Sequence, residues 1–413
     1  MPDRQTHVIV GGGLAGAKAA EALRTEGFDG RIVLLAEEPE APYERPPLSK
    51  DYLRGESARA KARVHADGFY TDHDIELRTH ASVASTEPQA RRVLLIDGTS
   101  LRYDRLLLAT GARPRTLDLP GAALDGVLTL RDLHDADELR ARLPFVRHLV
   151  VVGAGWIGAE VAASARQVGC DVTIVERAHV PLEHVLGRDV GSLYAEIHRA
   201  NGVELLTGAG PRAFRGGSRV EQVELEDGRT RDSDLVVVGV GVTPRAELAE
   251  AAGLAVDNGV LVDAQLRTSV AEIFAAGDVA NVAHPFYGHR LRVEHWASAL
   301  HQPEVAARSM LGKPASWDRI PYFFSDQYDV GMEYTGLASG ADEVVVRGDR
   351  EARELIAFWR RDERVVAAMN VNVWDVADDL QALIRGGHAV DRVRLADPSV
   401  PLASLHVADT HHV

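Results

Sequence analysis

Two stretches of the chain repeat one hydrophobic pattern. Residues 7–37 read HVIVGGGLAGAKAAEALRTEGFDGRIVLLAE, and residues 149–176 read LVVVGAGWIGAEVAASARQVGCDVTIVE. Each opens on a short β-branched run, breaks at a glycine cluster, continues through an alanine-rich segment of high helix propensity, and closes on a second apolar run that ends in an acid. This is the pattern of strand, tight turn, helix and strand. After each copy the period falls to two. Asp97-Gly98 and Asp227-Gly228 sit between short alternating runs and mark two hairpins. Each hairpin leads into a wholly apolar run that ends in glycine, Leu106-Leu107-Leu108-Ala109-Thr110-Gly111 and Leu235-Val236-Val237-Val238-Gly239-Val240-Gly241. The repeat therefore extends over whole domains. From Arg245 to about Pro321 the pattern breaks into short pieces, with a strand predicted to end at Gly277 and a helix to open at Asp278. Beyond Pro321 strands and helices alternate with no glycine cluster. The predicted fold is α/β, with two Rossmann-like dinucleotide-binding domains and a C-terminal α+β domain. The expected boundaries are 1–112 with 244–320 for a discontinuous first domain, 113–243 for the second and 321–413 for the third.

The glycines give the repeat its chemistry. Gly11, Gly13 and Gly16 form one Gly-x-Gly-x-x-Gly, and Gly153, Gly155 and Gly158 form the other. Such a motif alone is weak in a chain of 37 glycines, but both copies leave a strand and enter a helix. In that setting the first glycine permits the turn, the second lets the backbone approach a pyrophosphate, and the third lets helix and strand pack closely. Amides of the helix N-terminus then face the anion. Glu37 and Glu176, at the ends of the second apolar runs, are placed to accept hydrogen bonds from a ribose diol. A carboxylate accepts from a 2′-hydroxyl and repels a 2′-phosphate, so Glu176 favours a dinucleotide with a free 2′-hydroxyl over its 2′-phosphate, with the neighbouring Arg177 acting the other way.

Composition narrows the class. At 413 residues the chain exceeds one hydrophobic core, and its 46% hydrophobic and 26% charged residues are those of a globular protein. No run approaches the roughly 18 apolar residues of a membrane span. The first strand begins by His7, which leaves no room for a signal peptide, so a cytoplasmic protein is expected. A net charge of −15 argues against nucleic acid as a partner. The single cysteine, Cys170, forbids an intrachain disulfide and is expected to serve packing. If both nucleotide sites are filled, electrons must leave without a protein dithiol.

Other candidates stand outside the repeat. In APYERPPLSKDYL the Pro46-Pro47 corner is flanked by Arg45 and Lys50, which suits either a surface turn or a meeting with a pyrophosphate or a flavin ring. Asp278 is either a helix cap or a ligand for a polyol hydroxyl, and Trp296 either a core residue or a ring stacked near a cofactor. His406 and His411 have the spacing of half a zinc site, but no cysteine pair completes it, and a disordered terminus is expected.

The combination VGGGLAG, PYERPPLSK, LLLATGARP, VVGAGWIGAEVA, VGVGVTP, FAAGDVA, EHWASA and PYFFSDQYD resembles the FAD-dependent ferredoxin reductases of the glutathione-reductase fold. Those enzymes serve bacterial cytochrome P450 systems and ring-hydroxylating dioxygenases. The resemblance covers nearly the whole chain and implies FAD in the first repeat, NADH in the second, and a [2Fe–2S] ferredoxin as acceptor. It implies that Gly11, Gly13, Gly16 and Glu37 hold the FAD adenosine and pyrophosphate, with Arg45 and Lys50 on the flavin side. Thr110, Gly111 and Ala112 would line the FAD site, Asp278 would bind the ribityl chain, and Trp296 would sit beside the flavin. Gly153, Gly155, Gly158 and Glu176 would bind the nicotinamide dinucleotide, with Gly241 among the cofactor-binding positions. Lys50 would lie by the isoalloxazine and pair with Glu160, the two acting as the catalytic, electrostatic tuners. Other acceptors of this layout are a rubredoxin, a quinone or a small radical, and an apoptosis-inducing-factor-like redox sensor shares the fold. An acidic ferredoxin needs a local basic face, for which Arg290, Arg292, Arg360 and Arg361 are the candidates.

Overall fold

A computed structural model of the chain describes residues 4–406, which fold into two compact units. The first holds the chain up to Arg45, then Arg59–Arg113 and Val242–Pro321. Its apolar runs become a five-stranded parallel sheet, in the order Ile273–Ala275, Arg105–Leu108, Thr6–Val10, Arg31–Leu35, Ile75–Arg78. The three central strands are buried on both faces and have no polar side to alternate, which is why their runs VIV, IVLL and LLL hold only Val, Ile and Leu. Ile9, Leu34, Leu106, Leu107 and Phe274 are wholly enclosed in this core. Helix Leu14–Thr25 packs on helix Trp296–Met310. The Asp97-Gly98 turn closes an antiparallel sheet of Val83–Glu87, Arg92–Leu95 and Ser100–Arg102. Gly98 takes φ +86° there, and Asp97 accepts from the Thr99 amide at 2.8 Å.

The expected helix at Asp278 does not form. A single 3-10 turn, Gly277–Val279, leads straight into strand Ala280–His284. That strand is held between Val260–Val262 and His289–Leu291, so tertiary pairing overrides the local capping signal.

The second unit comprises Pro46–Ala58, Pro114–Gly241 and the chain from Tyr322. Its parallel sheet runs Glu204–Thr207, Asp171–Glu176, His148–Val152, Leu235–Val238, Val127–Leu128. The glycine-bearing strand again lies between the acid-bearing strand and the strand that ends in glycine, as in the first unit. Pro46–Ser49 forms a 3-10 turn and Asp51–Arg54 a short helix, which buries Leu53 against Leu139, Val161 and Ala162. Cys170 is buried in the same cluster, and burial raises its thiol pKa, so it serves packing.

The last part of this unit is a five-stranded antiparallel sheet, ordered Tyr322–Gln327, Val330–Gly336, Arg364–Val371, Glu354–Arg361, Glu343–Asp349. Helix Ala377–Gly386 covers it. Helix Glu183–Ala200 packs Leu186, Val190 and Tyr194 onto Phe323, Met332 and Trp359 of the sheet, and the Trp359 indole donates to the Leu186 carbonyl at 3.3 Å. His406 lies 3.4 Å from Asp379, whereas His411 falls outside the described residues. Among the described residues no group of three or more metal-ligating side chains occurs. Nor is any helix among them long and apolar enough to cross a membrane.

Two enclosed histidines set an acid limit. Burial, helped by the charge of Arg105, lowers His7 to about 4, and burial lowers His198 to about 4. A histidine held below its ordinary 6.5 leaves the unfolded chain binding more protons between the two values, so stability falls as pH drops from 6.5 towards 4. Each should cost about 2 kcal/mol at pH 5 relative to pH 7 or above. Urea unfolding at pH 7 and pH 5 should show this loss, and a flat profile would remove burial as its cause.

Candidate functional site

In the first unit the glycine loop is shaped by backbone contact. Gly11 takes φ +123°, donates to the Leu35 carbonyl at 2.9 Å, and has the Ala109 carbonyl where a Cβ would go. A Cβ on Gly16 would strike the Gly11 carbonyl. Gly13 is different. Nothing lies within 4 Å of its Cβ position, and it directly precedes helix Leu14–Thr25, whose N-terminus has no side-chain cap. The opening amides thus stand beside open space that any side chain at 13 would enter, which fits a pyrophosphate cradle.

The other first-unit candidates gather around that sheet's carboxyl ends. Glu37 is exposed and pairs with Arg245 at 2.7 Å. Arg245 is tied down in turn, because Thr110 Oγ1 donates to its carbonyl at 2.6 Å and its amide donates to the Gly111 carbonyl at 2.9 Å. Ala112 is buried. Arg45 pairs with Glu38 at 3.1 Å and lies over the Tyr43 ring. Asp278 sits in its 3-10 turn facing His295, whose imidazole burial lowers to about 4 against the pull of that carboxylate. Trp296 opens its helix, with the indole N–H donating to Glu44 at 3.2 Å. Sequence reading missed Arg245, which stands just beyond VGVGVTP, and Glu44, which stands inside PYERPPLSK.

The second unit repeats the loop. Gly153 takes φ +97° and donates to the Val175 carbonyl at 2.8 Å, while a Cβ on Gly158 would strike the Gly153 carbonyl. Gly155, just before the uncapped helix Trp156–Gln167, faces open space. Glu176 is fixed at the loop's flank. One carboxylate oxygen accepts from the Ala154 amide at 2.6 Å and the other from the Ala178 amide at 2.8 Å. Each oxygen keeps a lone pair for a further donor. Gly241 takes φ +97°, and its carbonyl accepts from the Arg115 amide at 2.9 Å.

Five residues beyond Gly155 on the same helix lies Glu160, 4% exposed. Lys50 Nζ stands 2.8 Å from its Oε2, Ser49 Oγ donates to the same oxygen at 2.5 Å, and Ser325 Oγ donates to Oε1 at 2.6 Å. Lys50 also donates to the Pro46 carbonyl at 3.3 Å and lies near the face of the Phe324 ring. The proline corner places the cation: Pro46–Ser49 turns tightly, and the Ser164 hydroxyl grips the Ser49 carbonyl at 2.6 Å. Burial, with the charge of Glu160 adding to it and that of Lys50 opposing it, raises the neighbouring Asp326 carboxyl. A buried ion pair is tolerable only when its remaining polar sites are filled, and the two serines fill them. Ser49 and Ser325 went unnoticed as site residues, although both stand inside quoted motifs, PYERPPLSK and PYFFSDQYD.

Two of the four arginines expected to form a basic face are turned inward. Arg290 donates to the Val262 and Asn281 carbonyls at 3.0 and 2.9 Å. Arg292 is nearly buried and paired with Glu294, and Arg360 is nearly buried between Glu343 and the Val390 carbonyl. Arg290 and Arg361 are the exposed residues of the four. Arg292 and Arg360 serve folding, because acceptors enclose each guanidinium.

Two glycine-loop parallel sheets, each with an open cradle at a helix N-terminus and an acid at the end of the following apolar run, are the layout of a pyridine-nucleotide oxidoreductase. Residues 5–302 match the pyridine nucleotide-disulphide oxidoreductase family, and residues 322–406 match the family described as reductase C-terminal. The chain belongs to the pyridine nucleotide-disulphide oxidoreductase family. It is 42% identical to the ferredoxin–NAD(+) reductase component of the anthranilate 1,2-dioxygenase system of Burkholderia cepacia, over 96% of this chain and 98% of that one. Putidaredoxin reductase of Pseudomonas putida is 36% identical, over 97% and 96%. The crystal structure of a covalent putidaredoxin reductase–putidaredoxin complex superimposes with a TM-score of 0.94 at 36% identity, over 97% and 98% of the two chains. The disulphide in the family's name has no counterpart here, because Cys170 is the only cysteine.

Proposed function

We propose that the chain is an NADH-dependent ferredoxin reductase, passing electrons to a [2Fe–2S] ferredoxin that feeds a cytochrome P450 or a ring-hydroxylating oxygenase. The observation that carries this reading is the pairing of two open glycine cradles with no cysteine pair, in a chain alike over its whole length to reductases of that kind. When bound, FAD would supply the chemistry that couples a two-electron hydride donor to a one-electron acceptor. Gly11, Gly13 and Gly16 hold its pyrophosphate on the amides that open helix Leu14–Thr25, and Glu37 accepts from its adenosine ribose. Thr110, Gly111 and Ala112 line the same site, and Arg45, Asp278 and Trp296 serve its flavin half.

Gly153, Gly155 and Gly158 bind NADH, with Glu176 and Gly241 flanking it. Both Glu176 oxygens are oriented by backbone amides, so its spare lone pairs are presented without reorganisation to the ribose hydroxyls. Lys50 and Glu160 act electrostatically. The lysine brings a fixed positive charge, and Glu160 with its two serine donors fixes where that charge sits. NADH and a reduced thiol both suit the cytoplasm, where this reading places the protein. The purified FAD-loaded protein should reduce a cognate [2Fe–2S] ferredoxin with NADH in a stopped-flow experiment, at a rate well above that with quinones, rubredoxin or small radicals. Slow turnover with every ferredoxin offered, beside fast turnover with another acceptor, would replace this assignment.

A further inference from the structure

A 2′-phosphate beside the Glu176 carboxylate would need a cation, and the residue that follows Glu176 is one. Arg177 could answer such a phosphate from its place in the chain, yet its Nη2 lies 2.5 Å from Glu226 Oε1. The other Glu226 oxygen accepts from the Gly210 amide at 3.0 Å, and the Glu226 amide donates back to the Gly210 carbonyl at 3.0 Å. Glu226 is therefore set by the backbone before it meets the guanidinium. Gly210 completes a bracket. A Cβ there would lie 3.0 Å from Arg177 Cγ and 3.1 Å from its Cζ, so the absence of a side chain at 210 lets the arginine stem lie against this backbone. Arg229, the next cation on that turn, is engaged by Asp227 at 2.7 Å and by the Thr207 carbonyl at 3.3 Å.

We infer that Glu226 and Gly210 are specificity-determining residues, which sequester Arg177 and so keep the second nucleotide site selective for NAD(H) over NADP(H). This inference rests on the reading that Glu176 faces the adenosine ribose. It assigns the discrimination to two layers. Glu176 repels the phosphate, and Glu226 removes the neighbouring charge that would attract it. Neither Glu226 nor Gly210 belongs to the glycine motif, so the second layer lies outside the fingerprint.

Calorimetric titration of the FAD-loaded protein with NAD+ and NADP+ tests it. Glu226→Gln should tighten NADP+ by about fivefold, the worth of one exposed charge pair, and leave NAD+ within about twofold. Gly210→Ala, which displaces the arginine stem, should move NADP+ in the same direction. Arg177→Ala in the native background should leave the NADP+ affinity unchanged, and in the Glu226→Gln background should abolish the gain. Unchanged NADP+ affinity in Glu226→Gln, or a gain that survives loss of Arg177, overturns the inference. Glu176→Ala separates the two levels: if it leaves NAD+ binding intact the ribose reading itself fails, whereas weakened NAD+ binding beside an inert Glu226→Gln rejects the bracket alone.

Discussion

Alanine at Glu160 should cost the second unit about 3–5 kcal/mol of stability, because Lys50 then keeps its charge in a nearly enclosed site with its anionic partner gone. The side chain of Lys50 is only 12% exposed, so water cannot replace the carboxylate at full strength. The Ser49 and Ser325 hydroxyls lose their acceptor at the same time. Removing both charges with Lys50→Met and Glu160→Leu should recover most of the loss, since paired apolar replacements often match a buried ion pair. Urea unfolding of the two single variants and the double variant gives the cycle. A single-variant cost below about 1 kcal/mol would place the pair among exposed ion pairs, against the burial described.

The second large effect concerns the dinucleotide. Glu176→Ala should raise the NADH KM by about ten- to a hundredfold, the worth of a lost charge-assisted hydrogen bond, and narrow the preference for NADH over NADPH. The effect has two sources, which a second variant separates. Alanine removes the ribose acceptor and also frees the Ala154 and Ala178 amides, so the glycine loop loses its brace. Glu176→Gln keeps an acceptor oxygen for one amide but lacks the charge. It should retain the fold of the loop and lose the discrimination. Steady-state kinetics with both nucleotides reads the two effects, and an unchanged NADH/NADPH ratio in Glu176→Ala would remove Glu176 from the site.

How far the sequence could be read follows from the kind of contact involved. The two glycine loops were legible because their requirements are steric and local: Gly16 and Gly158 each meet the carbonyl five residues back, and no other residue type satisfies that. The hairpins at Asp97-Gly98 and Asp227-Gly228 were legible for the same reason, with both glycines at positive φ. Asp278 misled, because a capping residue signals a helix only where the following residues are free to coil, and here they are claimed by a sheet. Arg292 and Arg360 misled in the opposite way. Nothing in a sequence shows that Arg360 is enclosed by Glu343, since that partner is fixed by strand register, or that Arg292 turns inward beside Glu294. Ser325 and Glu226 escaped notice because each acts through one hydrogen-bonded neighbour distant in the chain.

The segment Pro46–Ala58 leaves the first unit and returns to it, lending Ser49 and Lys50 to the second. The partners of that pair are therefore made at widely separated times during synthesis. Ser49 precedes Glu160 by 111 residues, and Glu160 precedes Ser325 by a further 165. Contacts of such long sequence separation carry the largest loop-closure cost and form late. Until the strand bearing Ser325 has emerged, the carboxylate and ammonium can remain in water, so the nascent chain need not desolvate either charge before every group that compensates it has been made.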